Sequence, residues 1–233
     1  MRRISSICIF AWAVLAFGDQ TVATAAAASS RPVGIALAIV FDTSGSMRRP
    51  PADPSAGQQA KIRIAQRSFL KVISQLESFA RTPGALPLSV SVHTFRGQVP
   101  QLDQPLAPFD ALRLRQWVAR MGTPEAATPL GDAILAAGRG LLAADAISRH
   151  VLVLTDGVNT AGRDPLSGFA ELQRQAAGKP VHLHLIALDM NAQIFAALRK
   201  QGATVIGAAN EPELIARFEF ILGEKVLVEA SRE

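Results

Sequence analysis

Apolar runs and amphipathic stretches alternate along the chain from residue 33 onward. Residues 33–41 (VGIALAIVF) are apolar without interruption, which predicts a strand buried on both faces. Residues 62–76 instead repeat apolar side chains every three or four positions, which predicts a helix that ends near Phe79. Ile64 lies off this apolar stripe, and the pattern does not explain it.

The remaining segments continue the alternation. Strands are expected at 88–95, 150–154, 181–188 and 204–207, and helices at 110–121, 129–145, 166–177, 191–201 and 211–222. Residues 97–108 contain three prolines and form at best an edge strand. The pattern predicts an α/β fold: a doubly wound, mainly parallel sheet of about six strands with one short antiparallel edge strand, flanked by helices in a Rossmann-like arrangement.

The first 28 residues precede this pattern and have the features of an export signal. A short basic start is followed by an apolar run at residues 4–17 and by an A-T-A sequence at residues 23–25. That order is typical of a cleaved signal peptide, so we expect residues 1–28 to be removed and residues 29–233 to form one periplasmic or secreted bacterial domain. The alternative is an uncleaved membrane anchor, although a spanning helix needs about 20 apolar residues.

Charge and cysteine content narrow the function classes. Loss of residues 1–28 removes two arginines and one aspartate, so the formal net charge falls from +5 to about +4. No block of Lys and Arg remains of the kind that follows phosphates, so we expect no nucleic acid partner. Cys8 is the only cysteine and would leave with the signal, which excludes thiol chemistry and disulfides from the mature domain. No later segment predicts stable membrane insertion.

Polar side chains cluster in three loops that lie at strand or helix ends. Residues 42–46 (DTSGS) follow the first strand, residues 128–132 (TPLGD) open a helix, and residues 155–157 (TDG) follow the strand at 150–154. The carboxyl ends of strands in an open parallel sheet meet along one edge, where ligands usually bind. We therefore expect these three loops to lie together.

The three loops offer oxygen atoms of two kinds. Asp42 and Asp156 supply carboxylates, and Ser44, Ser46 and Thr128 supply hydroxyls. A set of oxygen ligands without His or Cys favours a hard cation such as Mg²⁺, Mn²⁺ or Ca²⁺ over zinc. Because few of these groups are charged, the cation would stay able to take an anionic ligand from outside.

Together the three motifs resemble the metal-ion-dependent adhesion site (MIDAS) of von Willebrand factor type A (VWA) domains. The similar segments are D-x-S-x-S after a buried strand, T-P-L-G-D-A at a helix start and L-T-D-G after a later strand, and the resemblance extends over about residues 33–222. It implies that Ser44 and Ser46 bind the metal directly and that Thr128 binds it directly or through water. Asp42 and Asp156 would act largely through water and hydrogen bonds.

Each loop also has a purely structural interpretation. Asp42 alone suits a turn, Thr128 before Pro129 suits a helix N-cap and first position, and Asp156 before a glycine is an ordinary turn signal. The presence of all three loops in order favours the metal site. The family usually has glycine where this chain has Ala127, a departure that keeps the ligand types but alters the loop.

The resemblance implies a binding module rather than an enzyme. A carboxylate of a partner protein would complete the coordination of the cation, in the assembly or maturation of a periplasmic complex. Arg48 and Arg49 lie just past the first loop and are either solvated loop residues or part of a surface that favours an acidic partner. The alternatives are a metal-assisted hydrolase and a metal-free scaffold.

A hydrolase would need a general base near a metal-bound water. The three loops contain no histidine, so His93 or His184 would have to lie beside the metal. His182 and His184 share one face of a strand, but with no cysteine and no third ligand in view a structural role is favoured over a second metal site. Asp189 ends a strand at the same edge and is either a lining residue of the site or a turn residue.

Overall fold

The structure is a computed structural model that describes residues 34–53 and 57–228. The predicted export signal at residues 1–28, the domain boundary at residue 29 and the first residue of the predicted strand at 33–41 lie outside the described residues. Within the described part of the chain, no helix combines the length and the apolarity that crossing a membrane requires.

Six strands form one sheet in the order β3-β2-β1-β4-β5-β6. The strands are β1 Ile35–Phe41, β2 Leu88–Arg96, β3 Val99–Pro108, β4 Ser148–Thr155, β5 His182–Leu188 and β6 Thr204–Ala208. All neighbours pair in parallel except β2 and β3, which confirms the predicted doubly wound sheet. Because the chain runs outward from β1 to β3 and then crosses back to β4, the strand order reverses between β1 and β4, the position where α/β sheets bind ligands.

Six helices cover the two faces of the sheet. They are α1 Lys61–Ala80, α2 Ala111–Ala119, α3 Leu130–Leu142, α4 Pro165–Ala176, α5 Ala196–Lys200 and α6 Glu211–Ile221. Buried side chains of α1, α2 and α6 share one core with the sheet, and those of α3, α4 and α5 share the other. Asp110, Asp164 and Asn210 cap α2, α4 and α6, each accepting a backbone N–H three residues on, as expected of N-cap residues.

Ile64, which the helical stripe left unexplained, is buried in the first core with a side chain 1 % exposed. Helix α1 packs against α2 and α6 as well as against the sheet. A helix with neighbours on both flanks buries more than one stripe, so an apolar side chain off the stripe is still covered.

Three elements differ from the sequence prediction. The edge strand β3 has ten residues, whereas a short edge strand was predicted. An edge strand forms hydrogen bonds on one side only, so it tolerates prolines at positions where no N–H is needed. The segment predicted as one helix at 191–201 is a 3-10 turn, Ala192–Phe195, followed by the short α5. Helix α6 continues into a π-helical turn, Leu222–Val226.

Helices α3 and α4 approach each other at two glycines. A methyl group on Gly168 would come within 2.2 Å of the carbonyl oxygen of Gly131, and one on Gly131 within 2.3 Å of the carbonyl oxygen of Asp164. Only glycine permits this backbone approach. The contact brings the start of α4, and the loop that precedes it, against the start of α3.

An aromatic cluster supports the end of β1. Phe41, Phe69 and Trp117 lie edge to face, with ring centroids 5.8 Å apart in each pair, an arrangement that adds to the stabilisation from burial alone. Phe41 directly precedes Asp42, so the first of the predicted site residues follows a residue that is held by tight packing.

Candidate metal site

All three predicted loops lie at the carboxyl ends of β1 and β4, where the strand order reverses. We call this region the site edge and define it by residues 42–49, 95–97, 120–130 and 155–160. Residue 42 follows β1, residue 156 follows β4, and residue 128 precedes α3. The bridge between Ser44 and Ala126 ties the first loop to the second. The five predicted ligands are therefore neighbours in space.

Asp42 is fully buried and receives two hydrogen bonds. The backbone N–H of Ser44 donates to its Oδ1 at 2.7 Å, and the hydroxyl of Thr155 donates to its Oδ2 at 2.6 Å. Burial, and then the negative charge of Asp156, raise the pKa of Asp42 to about 6, although these hydrogen bonds lower it. A carboxylate in this position favours a nearby positive charge.

The hydroxyls of Ser44 and Ser46 form a chain that ends on the second carboxylate. The two Oγ atoms are 2.9 Å apart, and the Oγ of Ser46 donates to Oδ1 of Asp156 at 2.6 Å. Ser44 and Asp156 are buried, and Ser46 is partly exposed. The hydroxyls of the two serines thus converge on one point.

Thr128 is not the N-cap that its sequence context suggests. Helix α3 begins at Leu130, and no side chain of its own N-terminal residues caps it. Instead Oδ1 of Asn159 accepts from the backbone N–H of Leu130 at 2.8 Å. Thr160 fixes Thr128 itself, because its hydroxyl accepts from the Thr128 N–H at 2.8 Å and its own N–H donates to the Thr128 carbonyl at 3.0 Å. The hydroxyl of Thr128 therefore stays available to a ligand.

A glycine keeps the space between these hydroxyls clear. A methyl group on Gly157 would lie 3.6 Å from both Oγ of Ser46 and Oγ1 of Thr128. The two hydroxyls, which come from loops 82 residues apart in sequence, therefore face a common space. Convergent neutral oxygens beside two buried carboxylates match the ligands that Mg²⁺, Mn²⁺ and Ca²⁺ prefer, so the residues present fit a divalent cation.

A buried lysine lies on the far side of the second carboxylate. Nζ of Lys61 is 2.7 Å from Oδ2 of Asp156 and 3.2 Å from Oδ2 of Asp189, and Lys61 is 5 % exposed. The other carboxylate oxygen of Asp189 accepts from the backbone N–H of Ala52 at 2.9 Å. Asp189 adopts a left-handed backbone conformation with φ 55°. It is thus both a turn residue and a neighbour of the site, connected to it through Lys61.

Sequence reasoning missed the residues that hold the five predicted ligands in place. These are Thr43, whose hydroxyl bonds both the N–H and the carbonyl of Phe95, and Lys61, Thr155, Asn159 and Thr160. Thr155 and Thr160 adjoin the predicted motifs, but a threonine beside a strand end has no signal of its own. The hydrogen-bond partners of these threonines follow only from the register between strands and from the fold of the loop at residues 157–164.

The histidines that a hydrolase would need lie within the sheet. His93 pairs with Val40, one residue before the end of β1 at Phe41, and His184 pairs with Leu152, three residues before the end of β4. Both side chains are buried. No hydrogen bond within residues 34–53 and 57–228 joins either histidine to one of the five predicted ligands.

Comparison with solved structures shows the same fold in proteins of low sequence identity. The PilB minor pilin from Streptococcus sanguinis is 16% identical and has a TM-score of 0.65, over 83% of this chain and 61% of its own. The vWF domain of the type V pili tip protein Mfa5 from Porphyromonas gingivalis is 13% identical with a TM-score of 0.65, over 88% of this chain and 98% of its own. PTMP1 from the mussel byssus, with a zinc-occupied MIDAS motif, is 16% identical with a TM-score of 0.60, over 81% of this chain and 45% of its own.

These similarities show the fold alone. The chain spans about 61% of the PilB minor pilin and less than half of PTMP1. No protein-family model and no curated protein matches it. The described residues have the VWA fold, a six-stranded, mostly parallel sheet with one antiparallel pair and helices on both faces.

Proposed function

We propose that this protein is a metal-dependent protein-binding module. Ser44, Ser46 and Thr128 would hold a divalent cation through their hydroxyls, and Asp42 and Asp156 would support it through hydrogen bonds and water. The observation that carries this proposal is the convergence of these hydroxyls beside two buried carboxylates at the point where the strand order reverses. A bound cation with few charged ligands accepts an anionic oxygen from outside, and a carboxylate of a partner protein supplies one.

The similar solved structures support a role in protein interaction. Two of them, a minor pilin and the vWF domain of a pilus tip protein, are components of pili by their names, and PTMP1 carries zinc in its MIDAS motif. For this chain we favour Mg²⁺, with Mn²⁺ or Ca²⁺ as the other oxygen-preferring cations. We propose a periplasmic or secreted protein, with residues 1–28 as its signal peptide and residues 29–233 as its VWA domain, that serves in the assembly or maturation of a larger complex.

We infer a binding function rather than catalysis. A metal-assisted hydrolase, the alternative that the sequence left open, requires a general base within reach of the metal-bound water. His93 and His184 are buried within the sheet, and among the described residues neither makes a hydrogen bond to one of the five proposed ligands. The carboxylates of Asp42 and Asp156 already accept hydrogen bonds from the hydroxyls of Thr155 and Ser46, and Asp156 also pairs with the ammonium group of Lys61. Either carboxylate would have to give up these contacts to act as that base.

A capture experiment tests the metal bridge. The purified protein is immobilised, exposed to an extract of its source organism in Mg²⁺ or in EDTA, and the retained proteins are identified and compared. We expect a partner that is retained in Mg²⁺ and lost both in EDTA and with Ser44→Ala. Ser78→Ala is the matched control, since that hydroxyl lies on the exposed side of α1 and bonds only the Ser74 carbonyl. Retention of the same partner in EDTA would show that the metal bridge is wrong.

A further inference from the structure

Four arginine side chains at the site edge differ from all others that the structure describes. Within residues 34–53 and 57–228, they are the arginines whose guanidinium groups make no hydrogen bond and no ion pair: Arg48, Arg49, Arg96 and Arg120. All four are exposed. The remaining described arginines bond a carboxylate, an amide oxygen or a backbone carbonyl, as Arg67 does with Glu211 and Arg149 with the carbonyl of Leu141.

The topology explains why these four arginines gather at one edge. Arg48 and Arg49 follow the first ligand loop, and Arg96 ends β2, whose carboxyl end lies beside that of β1. Helix α2 follows the antiparallel strand β3, so it runs back toward the same edge and ends beside Arg120. Three segments that are separate in sequence thus present unpaired positive charge around the proposed cation.

Two surface depressions flank the loop at residues 121–124. One, of about 340 Å³, is lined by Arg96 and Arg120 together with Thr43 of the first ligand loop. The other, of about 300 Å³, is lined by Arg48 and Arg63. Both share Thr123. Each depression is large enough to take a side chain, and the first adjoins the ligand loop directly.

Among the described residues, no acidic side chain forms an ion pair with any of these four arginines. Asp103 lines the first depression, but its Oδ2 accepts from Nε1 of Trp117 at 2.9 Å and from the hydroxyl of Thr94 at 3.1 Å. Glu125 is exposed on the adjoining loop and makes no ion pair with any described residue. Exposed, unpaired guanidinium groups hold carboxylates in bidentate pairs and raise the rate at which acidic partners associate.

We propose that the site edge binds an acidic segment of a partner protein, with several carboxylates rather than one. One carboxylate would reach the cation, and its neighbours along the segment would pair with Arg96 and Arg120 on one side and Arg48 and Arg49 on the other. This inference rests on the proposed function, which supplies the first of these contacts. A single-stranded nucleic acid is disfavoured because such sites stack bases on exposed aromatic rings, and Trp117 beside the first depression is buried with its indole N–H bonded.

Three synthetic peptides of equal length test the proposal. Each carries one central Asp, flanked by Gly and Ser, by Glu, or by Lys, and binding to the full-length protein in Mg²⁺ is measured by fluorescence anisotropy. Since exposed ion pairs contribute modestly and several act together, we expect the Glu-flanked peptide to bind about tenfold more tightly than the Gly/Ser-flanked one. The Lys-flanked peptide should bind most weakly.

Matched variants assign that difference to the arginines. The double substitution Arg96→Gln/Arg120→Gln should remove most of the advantage of the Glu-flanked peptide. Arg67→Gln, which breaks an ion pair with Glu211 outside the residues that define the site edge, should leave the advantage intact. Glu125→Gln should act in the opposite direction and strengthen binding of the Glu-flanked peptide. Circular dichroism checks that each variant is folded.

The outcomes separate this inference from the proposed function. Equal binding of the Glu-flanked and Gly/Ser-flanked peptides, both dependent on Mg²⁺, would overturn the arginine surface and leave the metal bridge in place. Binding of the Glu-flanked peptide that persists in EDTA and is lost with the arginine variant would support the surface and contradict the metal bridge. No binding of that peptide would overturn both. Tighter binding of single-stranded DNA or a sulfated oligosaccharide through the same arginines would overturn the choice of a protein partner.

Discussion

At the scale of single residues, one buried lysine balances part of the negative charge beside the proposed ligands. Two carboxylates, Asp156 and Asp189, both lie within 3.2 Å of Nζ of Lys61. Lys61 therefore neutralises part of the negative charge that would otherwise face the proposed cation from the Asp156 side. Because it contacts the oxygen of Asp156 that Ser46 does not use, it also fixes the orientation of that carboxylate.

The substitution Lys61→Met tests this role. It keeps the length of the side chain and removes the charge, which leaves two carboxylates without their cation. Removing one partner of a buried ion pair costs about 3–5 kcal/mol, so we expect the free energy of unfolding in EDTA to fall by about that amount. Mg²⁺ should then stabilise the variant more than the wild type, because the cation replaces the missing positive charge. Urea denaturation with and without Mg²⁺ measures both effects.

The control for Lys61→Met is Arg67→Met, which breaks the more exposed pair with Glu211. Exposed ion pairs contribute about 0–1 kcal/mol, so its effect should be small and independent of Mg²⁺. An unchanged Mg²⁺ effect in Lys61→Met would mean that the lysine charge is not coupled to the cation.

At the scale of elements, Asn159 in the loop after β4 caps helix α3 and thereby fixes the loop that contains Thr128. Asn159 satisfies the first backbone N–H of α3, a group that a helix leaves without an intrahelical partner. The conventional solution, a cap from Thr128, would occupy the hydroxyl that the proposed cation needs. Because Asn159 caps α3, the helix start is stable and the hydroxyl of Thr128 stays available to the proposed cation.

Asn159→Ala should weaken Mg²⁺ binding although Asn159 is not a proposed ligand. The uncapped N–H groups of α3 would draw the Thr128 hydroxyl toward them, and loss of the cap itself should cost about 1 kcal/mol. Asn159→Asp keeps the acceptor and should restore both properties. Asp110→Ala removes the cap of α2 at the end of that helix opposite Arg120, and should cost similar stability with no change in Mg²⁺ affinity. Calorimetric Mg²⁺ titration of the three variants decides; equal affinity for Asn159→Ala and Asp110→Ala would contradict the proposed role of Asn159.

The neighbouring strands β4 and β5 are joined by a buried pair of histidines. Nδ1 of His150 lies 3.1 Å from Nε2 of His184, and His150 also stacks on His182 with ring centroids 5.2 Å apart. Burial, followed by the charges of His184 and His182, lowers the pKa of His150 to about 2. Burial, followed by the charges of His182 and Lys225, lowers the pKa of His184 to about 4. Both are neutral in the folded protein at pH 7.

Stability should therefore fall as the pH falls below 6.5. The unfolded chain takes up protons on these histidines below that value, while in the folded chain His184 stays neutral to about pH 4 and His150 to a lower pH. The folded state accordingly loses up to about 1.4 kcal/mol per pH unit for each histidine. We expect His184→Gln to reduce the slope of the unfolding free energy against pH by about the contribution of one histidine between roughly pH 6 and pH 4.5. Urea denaturation across that range measures it, and an unchanged slope would argue against neutral burial.

Some features of the fold and of the site could be predicted from the sequence, and others could not. The apolar patterns predicted every strand and nearly every helix, because burial on one face or two leaves a period that is visible in sequence. The edge strand was underestimated since prolines weaken the pattern without preventing one-sided pairing. The five residues that we propose as ligands stand in motifs at strand or helix ends, and the structure brings those motifs together; their binding of a cation stays a prediction. Lys61 and Asn159 were not predicted, because their partners lie 95 and 29 residues away and only the fold brings them together.

At the scale of the whole molecule, the proposed cation lies at an edge of the sheet and not in a core. Each face of the sheet has its own closed apolar core, formed with α1, α2 and α6 on one side and α3, α4 and α5 on the other. The site residues are held by hydrogen bonds to the backbone and to one another. We therefore expect the fold to form without the cation, as a module that engages and releases a partner requires.

Chelation should therefore lower the melting temperature without unfolding the protein. A ligand at 100 times its Kd stabilises by about 2.7 kcal/mol, which for a domain of this size corresponds to roughly 5–10 °C. We expect EDTA to shift the melting temperature down by that amount while the circular dichroism spectrum at 25 °C stays the same. Ser44→Ala should melt at the EDTA value in either buffer, because it lacks a hydroxyl that binds the cation and loses no core contact. Loss of helical signal in EDTA at 25 °C would mean that the cation supports the fold, and the site would then be structural rather than a place for a dissociable partner.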